Sequence, residues 1–133
     1  MAKGTQAKRV RGMAKVERNL KRLGAEMRGK TSLDAAEAMG WTILAEAVTE
    51  APVISGTLRR SGTVERGAKS VRAGFGVIYA RRVHEGFSGQ DKLGRTFNQP
   101  GNPYLVRGVR AAQRAAVQDA GNVVKAAIRR TLR

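Results

Sequence analysis

The sequence predicts an α+β fold built from a long N-terminal helix or helix pair, a small antiparallel β-sheet, a long loop and a long C-terminal helix. Three patterns carry that expectation. Apolar residues recur at steps of three and four over residues 13–27 and again over 105–127, they alternate with other residues over 70–79, and they lose any period over 86–103.

In the first helix, Met13, Val16, Leu20, Leu23 and Met27 form one stripe, and Lys15, Arg18, Lys21 and Arg22 make the opposite side cationic. Gly29-Lys30-Thr31-Ser32 interrupts the period, and Thr31 followed by Asp34 has the spacing of a capping box that starts a second helix. Leu33, Ala36, Ile43, Leu44, Ala47 and Val48 carry that helix to Ala51-Pro52, where the proline ring forces the backbone out of helix. Val71, Ala73, Phe75, Val77 and Tyr79 alternate as in a strand with one buried side, and Ser61 to Arg66 is its hairpin partner across Gly67-Ala68-Lys69. Residues 86–103 hold four glycines and two prolines and are expected to form a long loop, with a short strand near 95–98. Leu105, Val109, Ala112, Ala116, Ala120, Val123 and Ala127 mark the last helix, whose stripe is mostly alanine.

The chain has 133 residues, a length that suits one domain with a thin core, here divided into a basic N-terminal extension with a helix (1–30) and a single α+β domain (31–133). With no cysteine and one histidine, it has no thiol nucleophile, disulfide framework or paired-histidine metal motif, so no catalytic residue, cofactor or metal site is expected and a reducing compartment is the simplest fit. No stretch approaches the roughly 20 apolar residues of a bilayer span, and neither a targeting segment nor a membrane partner is expected. The formal net charge is +16, spread unevenly. Residues 1–30 contribute +8, 31–58 contribute −4, 59–95 contribute +6 and 96–133 contribute +6. Such an excess points either to nucleic acid, with Lys8, Arg9, Arg11, Lys15, Arg18, Lys21 and Arg22 as phosphate contacts, or to a cationic surface that serves solubility or an acidic protein partner.

Three strings invite catalytic or cofactor readings, and each has a plainer explanation. Gly24 to Thr31 satisfies the G-x-x-x-x-G-K-[ST] phosphate-loop pattern, but the preceding residues have helical rather than strand period, so a helix break with a new cap is expected. Gly74-Phe-Gly76 lacks the third glycine of a dinucleotide fingerprint, and glycines in that strand suit a bulge or close packing. Adjacent residues such as His84 and Glu85 point in divergent directions, so they make a poor acid/base pair, and Asp34, Glu37, Glu46 and Glu50 read as solvated helix positions. An enzyme is not expected.

Three ordered segments resemble one family. Ala51-Pro52-Val53-Ile54-Ser55-Gly56-Thr57-Leu58-Arg59-Arg60-Ser61 is similar to the A-P-x-x-T-G-x-L-x-x-S signature of the small neck or tail-completion proteins of long-tailed bacteriophages, the minor capsid or head-tail connector proteins. Tyr79-Ala80-Arg81-Arg82-Val83-His84-Glu85-Gly86 resembles its Y-A-x-x-V-x-x-G segment, and Pro100-Gly101-Asn102-Pro103-Tyr104-Leu105-Val106-Arg107 resembles its P-x-x-P-[FY]-L segment. Ser55 replaces a commoner threonine, and Gly108 replaces the usual alanine after the third segment, a change expected to loosen the first turn of the last helix.

The resemblance implies a structural virion protein, assembled as a homo-oligomeric, sixfold ring in the neck between head and tail and present in host cytoplasm during assembly. Its implied partners are adjacent connector and tail proteins, together with packaged DNA held through non-specific phosphate contacts. Within that expectation Leu58 anchors the first strand, Tyr79 and Tyr104 bury their rings, and the loop 86–103 and the N-terminal segment contact neighbours or adjacent rings. Arg59, Arg60, Arg81, Arg82, His84, Lys15, Arg18, Lys21 and Arg22 are the candidate interface or DNA-facing residues. The alternative is a small basic nucleic-acid-binding architectural protein.

Overall fold

The computed structural model describes residues 12–53 and 55–133, so Lys8, Arg9 and Arg11 lie outside the described residues. The chain is α+β, with helices α1 (Met13–Arg28), α2 (Lys30–Glu50), α3 (Thr57–Arg60), α4 (Ala80–Glu85) and α5 (Tyr104–Thr131). Two separate antiparallel hairpins complete it, β1 (Gly62–Arg66) with β2 (Val71–Phe75), and β3 (Gly86–Gln90) with β4 (Thr96–Pro100).

A single residue, Gly29, separates α1 from α2, its N–H bonding back to the carbonyls of Ala25 and Glu26 at 3.2 and 3.3 Å. The expected capping box does not form. Thr31 is instead fully buried, its hydroxyl donating to Glu26 Oε1 at 3.4 Å, because α2 has already begun at Lys30. The phosphate-loop string accordingly lies across two helices, with helix rather than strand before it.

Helix α2 is the centre of the fold. Against one side lies α5, along a seam of small side chains in which Ala47, Ala112, Ala116 and Ala127 are at most 1 % exposed. At the seam's tightest point Gly108 meets the α2 backbone: a Cβ there would sit 2.5 Å from Ala47 Cα and 2.6 Å from its nitrogen. Gly108 is thus a condition for the crossing rather than a weakness in the first turn of α5, since small residues are what let two helix backbones approach so closely. Thr42 adds a polar tie by donating to Asp119 Oδ2 at 2.5 Å, and Arg107 reaches Glu50 at 2.8 Å.

On its other side α2 carries the first hairpin, in the expected pairing, with Val64 opposite Ala73 and Arg66 opposite Val71. A Cβ on Gly40 would come 3.1 Å from Val64, and one on Gly62 3.1 Å from Leu44, so sheet and helix are in close contact. Gly74, by contrast, faces open space, so close packing does not account for it. Arg66 donates to both Asp34 (2.6 Å) and Glu37 (2.8 Å), and these bonds, Glu37's first, hold its guanidinium still more firmly protonated. Three of the four acidic residues read as solvated positions therefore tie neighbouring elements to α2.

The strand expected to run to Tyr79 ends at Phe75, and the next residues turn into α4. Leu58 lies in α3 rather than in a strand, where it is 5 % exposed. The expected long loop is largely ordered as the second hairpin, with Phe87 opposite Gln99 and Gly89 opposite Phe97, and the short strand expected near 95–98 is part of β4. Asp91 organises its tip, accepting from the backbone N–H groups of Leu93 and Arg95 and from the Arg95 guanidinium. Those bonds, led by the Arg95 N–H, hold its carboxyl below the usual carboxylate range. The hairpin escaped the periodicity reading because every residue of β4 is exposed, which removes the apolar alternation of a half-buried strand.

Paired substitutions in α5 test the seam. Gly108→Ala is expected to lower stability by about 1–3 kcal/mol despite alanine's better helix propensity, because the methyl group meets backbone that must shift. Gly121→Ala, where a Cβ meets nothing within 4 Å, is expected to raise stability by about 0.5–1 kcal/mol, both read as shifts in urea midpoint.

Candidate functional site

The three separated segments meet in space. Ala51 and Leu58 from the first, Ala80 from the second and Tyr104 from the third are the buried members of one apolar cluster, joined by Phe75, Val77, Val83 and Leu105. Tyr104 is its hub, 2 % exposed, with the Phe75 ring edge-on at 5.0 Å and the His84 ring edge-on at 5.3 Å. Its hydroxyl donates to the Ala80 carbonyl at 3.2 Å, which bolts α5 to the first turn of α4. Burial pushes its ionisation above the ordinary tyrosine range. Tyr79 behaves differently from expectation: it is 40 % exposed and lines a small crevice with Pro52, Ser55, Gly56, Leu58 and Val83.

The turn into α3 depends on Gly56, at φ 74°, with the Ser55 and Thr57 hydroxyls bonded at 3.0 Å. Residues 86 and 101 are also held to glycine, since a Cβ at Gly86 would lie 2.6 Å from the Gly101 nitrogen and one at Gly101 2.7 Å from the Glu85 carbonyl carbon. That contact seats the base of the second hairpin on the end of α4.

The structure gives the candidate residues different surroundings. Arg59 turns inward along the chain, its Nε and Nη2 donating to the carbonyls of Ala51 (2.9 Å) and Thr49 (3.1 Å), where a cation suits the C-terminal end of α2. Arg60 is exposed and reaches the Ser55 carbonyl at 3.4 Å. Arg81 pairs with Glu85 at 3.0 Å while 83 % of its side chain stays exposed, and Arg82 stands over the Phe87 ring at 4.7 Å. His84 keeps its Nε2 buried without a hydrogen-bond partner among the described residues, its ring being packed on Tyr104 while Glu85 is engaged by Arg81. Lys15, Arg18, Lys21 and Arg22 are exposed along α1, with Lys21 paired to Glu17 at 3.0 Å.

Two groups result, far apart in sequence: arginines around α3 and α4 beside the hairpin, and cations along α1. Beside these groups the chain exposes large apolar side chains, some of them from the stripe expected to be the apolar side of the first helix. Trp41 is 53 % exposed on α2, Met13, Val16 and Leu20 are 52–61 % exposed on α1, and Phe87, Leu93 and Phe97 are exposed on the hairpin. Exposed apolar residues gathered in patches mark interaction surfaces. Among the described residues no group of three or more potential metal-ligating side chains occurs, and no helix is long and apolar enough to cross a membrane.

The Tyr104 bolt has a pH signature. With its folded-state ionisation raised, its contribution to stability is intact below the ordinary tyrosine range and declines as pH rises through that range toward the folded-state value. Absorbance titration of tyrosinate is expected to show a late component that Tyr104→Phe removes, and that variant is expected to lose about 1 kcal/mol because the Ala80 carbonyl loses its donor. No family model, curated protein or solved structure matches this chain.

Proposed function

We propose that this chain is a structural subunit of a tailed-phage virion that assembles as a homo-oligomeric ring in the neck, joining or completing the head-tail connection. The observation that carries the reading is the convergence of three distant segments, 51–61, 79–86 and 100–107, on the single Tyr104 cluster. Residues chosen only for their likeness to a family signature thereby acquire a shared physical purpose. They set the exit of α2, the entry of α5 and the base of the second hairpin, and so determine how that hairpin stands off the body. A projecting hairpin with free edges and exposed Phe87 and Phe97 is suited to subunit contact, because unpaired strand edges and exposed aromatics both invite association.

Charge fits the same role. A sixfold ring would gather roughly a hundred excess positive charges about one axis, suited to a DNA passage and to acidic neighbouring rings. The second reading, a small architectural protein that binds nucleic acid, draws on α5, where exposed Arg110, Arg114, Lys125 and Arg129 fall within an arc of about 100°.

Electron microscopy of the virion that carries this chain is expected to place its density between portal and tail tube, and density elsewhere would end the proposal. For the isolated protein, self-repulsion makes assembly depend on ionic strength, so the oligomeric fraction in sedimentation is expected to rise as salt is added. Ring formation indifferent to salt would count against the charge argument. Tight binding of duplex DNA by a persistent monomer would favour the second reading.

A further inference from the structure

Helix α1 has no buried residue, although its sequence is strongly amphipathic. Its stripe divides in two. Leu23 and Met27 are half-buried where the end of α1 meets α2 and α5, whereas Met13, Val16 and Leu20 stand open to solvent at 52, 52 and 61 % exposure. The outer half therefore has the same apolar spacing as the covered half and nothing against it within the described chain.

A second stripe with matching spacing lies on α2. Ala38, Trp41, Ala45 and Val48 follow one another at steps of three, four and three, on the side of α2 away from the Ala47 seam. Trp41 and Ala45 are exposed and Ala38 and Val48 half-buried. Steps of three and four on both partners are what let side chains of one helix fit between those of another. Trp41 is also the residue type most enriched among those that dominate binding energy.

Charge chooses between this stripe and the other open apolar surfaces. Between Met13 and Arg28, α1 carries five cations and two carboxylates, a net +3. The exposed Val106, Val109 and Val117 of α5 are accompanied by Arg110 and Arg114, and the hairpin aromatics by Arg82 and Arg95, so both repel a basic helix. Helix α2 carries four carboxylates and one lysine. Asp34 and Glu37 share the single guanidinium of Arg66, which leaves that triad negative. Glu37 precedes Trp41 by one turn of α2 and Asp34 by two, so this negative charge lies on the side of the open stripe that matches α1.

We propose that the outer stripe of α1, Met13, Val16 and Leu20, docks on the α2 stripe around Trp41 of a neighbouring copy of this chain. The two surfaces are different, so the contact is head-to-tail, which closes into a ring when the rotation between copies permits. The proposal rests on the ring reading and adds to it the surfaces that make the ring.

Complementation tests it. Leu20→Glu and Trp41→Ala both alter exposed side chains, and circular dichroism and melting temperature serve to establish that each variant folds as the parent does. At an ionic strength where the parent chain assembles, sedimentation is expected to show each variant alone shifted at least tenfold toward monomer. Mixed in equal amounts, the two are expected to form a dimer and nothing larger, because each pair has one intact α1 stripe facing one intact α2 stripe. Assembly of either variant as in the parent overturns the α1–α2 contact while leaving the ring reading in place, and a mixture that stays monomeric also overturns it. A parent chain that is monomeric at every concentration and salt level, or that shifts duplex DNA only while Leu20 is intact, overturns both.

Discussion

The approach of α5 to α2 at Gly108 is the constraint on which the rest of this structure depends. A Cβ at that position would fall within 2.7 Å of three Ala47 atoms, two of them backbone, so the crossing exists only because one helix lacks a side chain there. From this point the Ala112, Ala116 and Ala127 seam extends down α5, and Tyr104, one turn before Gly108, is placed at the end of α2. A chain with few aromatic residues has little bulk with which to fill a wide core, and a seam of alanines compensates by bringing backbones close together.

Tyr104 converts that helix pair into a platform. Its ring gathers Phe75 and His84, and its hydroxyl holds the Ala80 carbonyl, so the short α4 and the hairpin that follows are referenced to α5 rather than to their own flanking loops. The Gly86–Gly101 contact then sets the hairpin base. Arg59 belongs to the same framework because it satisfies carbonyls at the end of α2, and this explains why an arginine is useful there without any external anion. Arg81 and Arg82 lie on the outer side of the framework, one paired with Glu85 and one laid over Phe87, where both remain accessible to a partner.

The acidic patch around α2 has two uses in this arrangement. Asp34, Glu37 and Glu50 hold Arg66 and Arg107, which attach the first hairpin and α5 to the central helix. These bridges are partly exposed and individually weak, so their value is in orientation more than in stability. The negative charge left over sits beside exposed Trp41, in a molecule whose remaining segments are all basic. In the proposed ring such a region would give a strongly cationic chain a surface for its copies, because like charges elsewhere on its surface oppose contact.

Periodicity by itself determined the three long helices, the first hairpin and their order, since 13–27, 33–48 and 105–127 each bury or expose a defined stripe and 62–75 forms a hairpin against a helix, whereas the short α3 and α4 left no period. It also marked the charge asymmetry and the three short segments that resemble one family. Tertiary structure decided what local pattern does not encode: that Gly108 is a contact, that Thr31 is buried rather than a cap, that Arg59 is engaged by carbonyls, and that residues 86–100 pair as a hairpin. The reason is common to all four. Each depends on a contact made outside the residue's own helix or strand, or on backbone hydrogen bonds between exposed strands, and neither leaves a period in the sequence of the residues that make it.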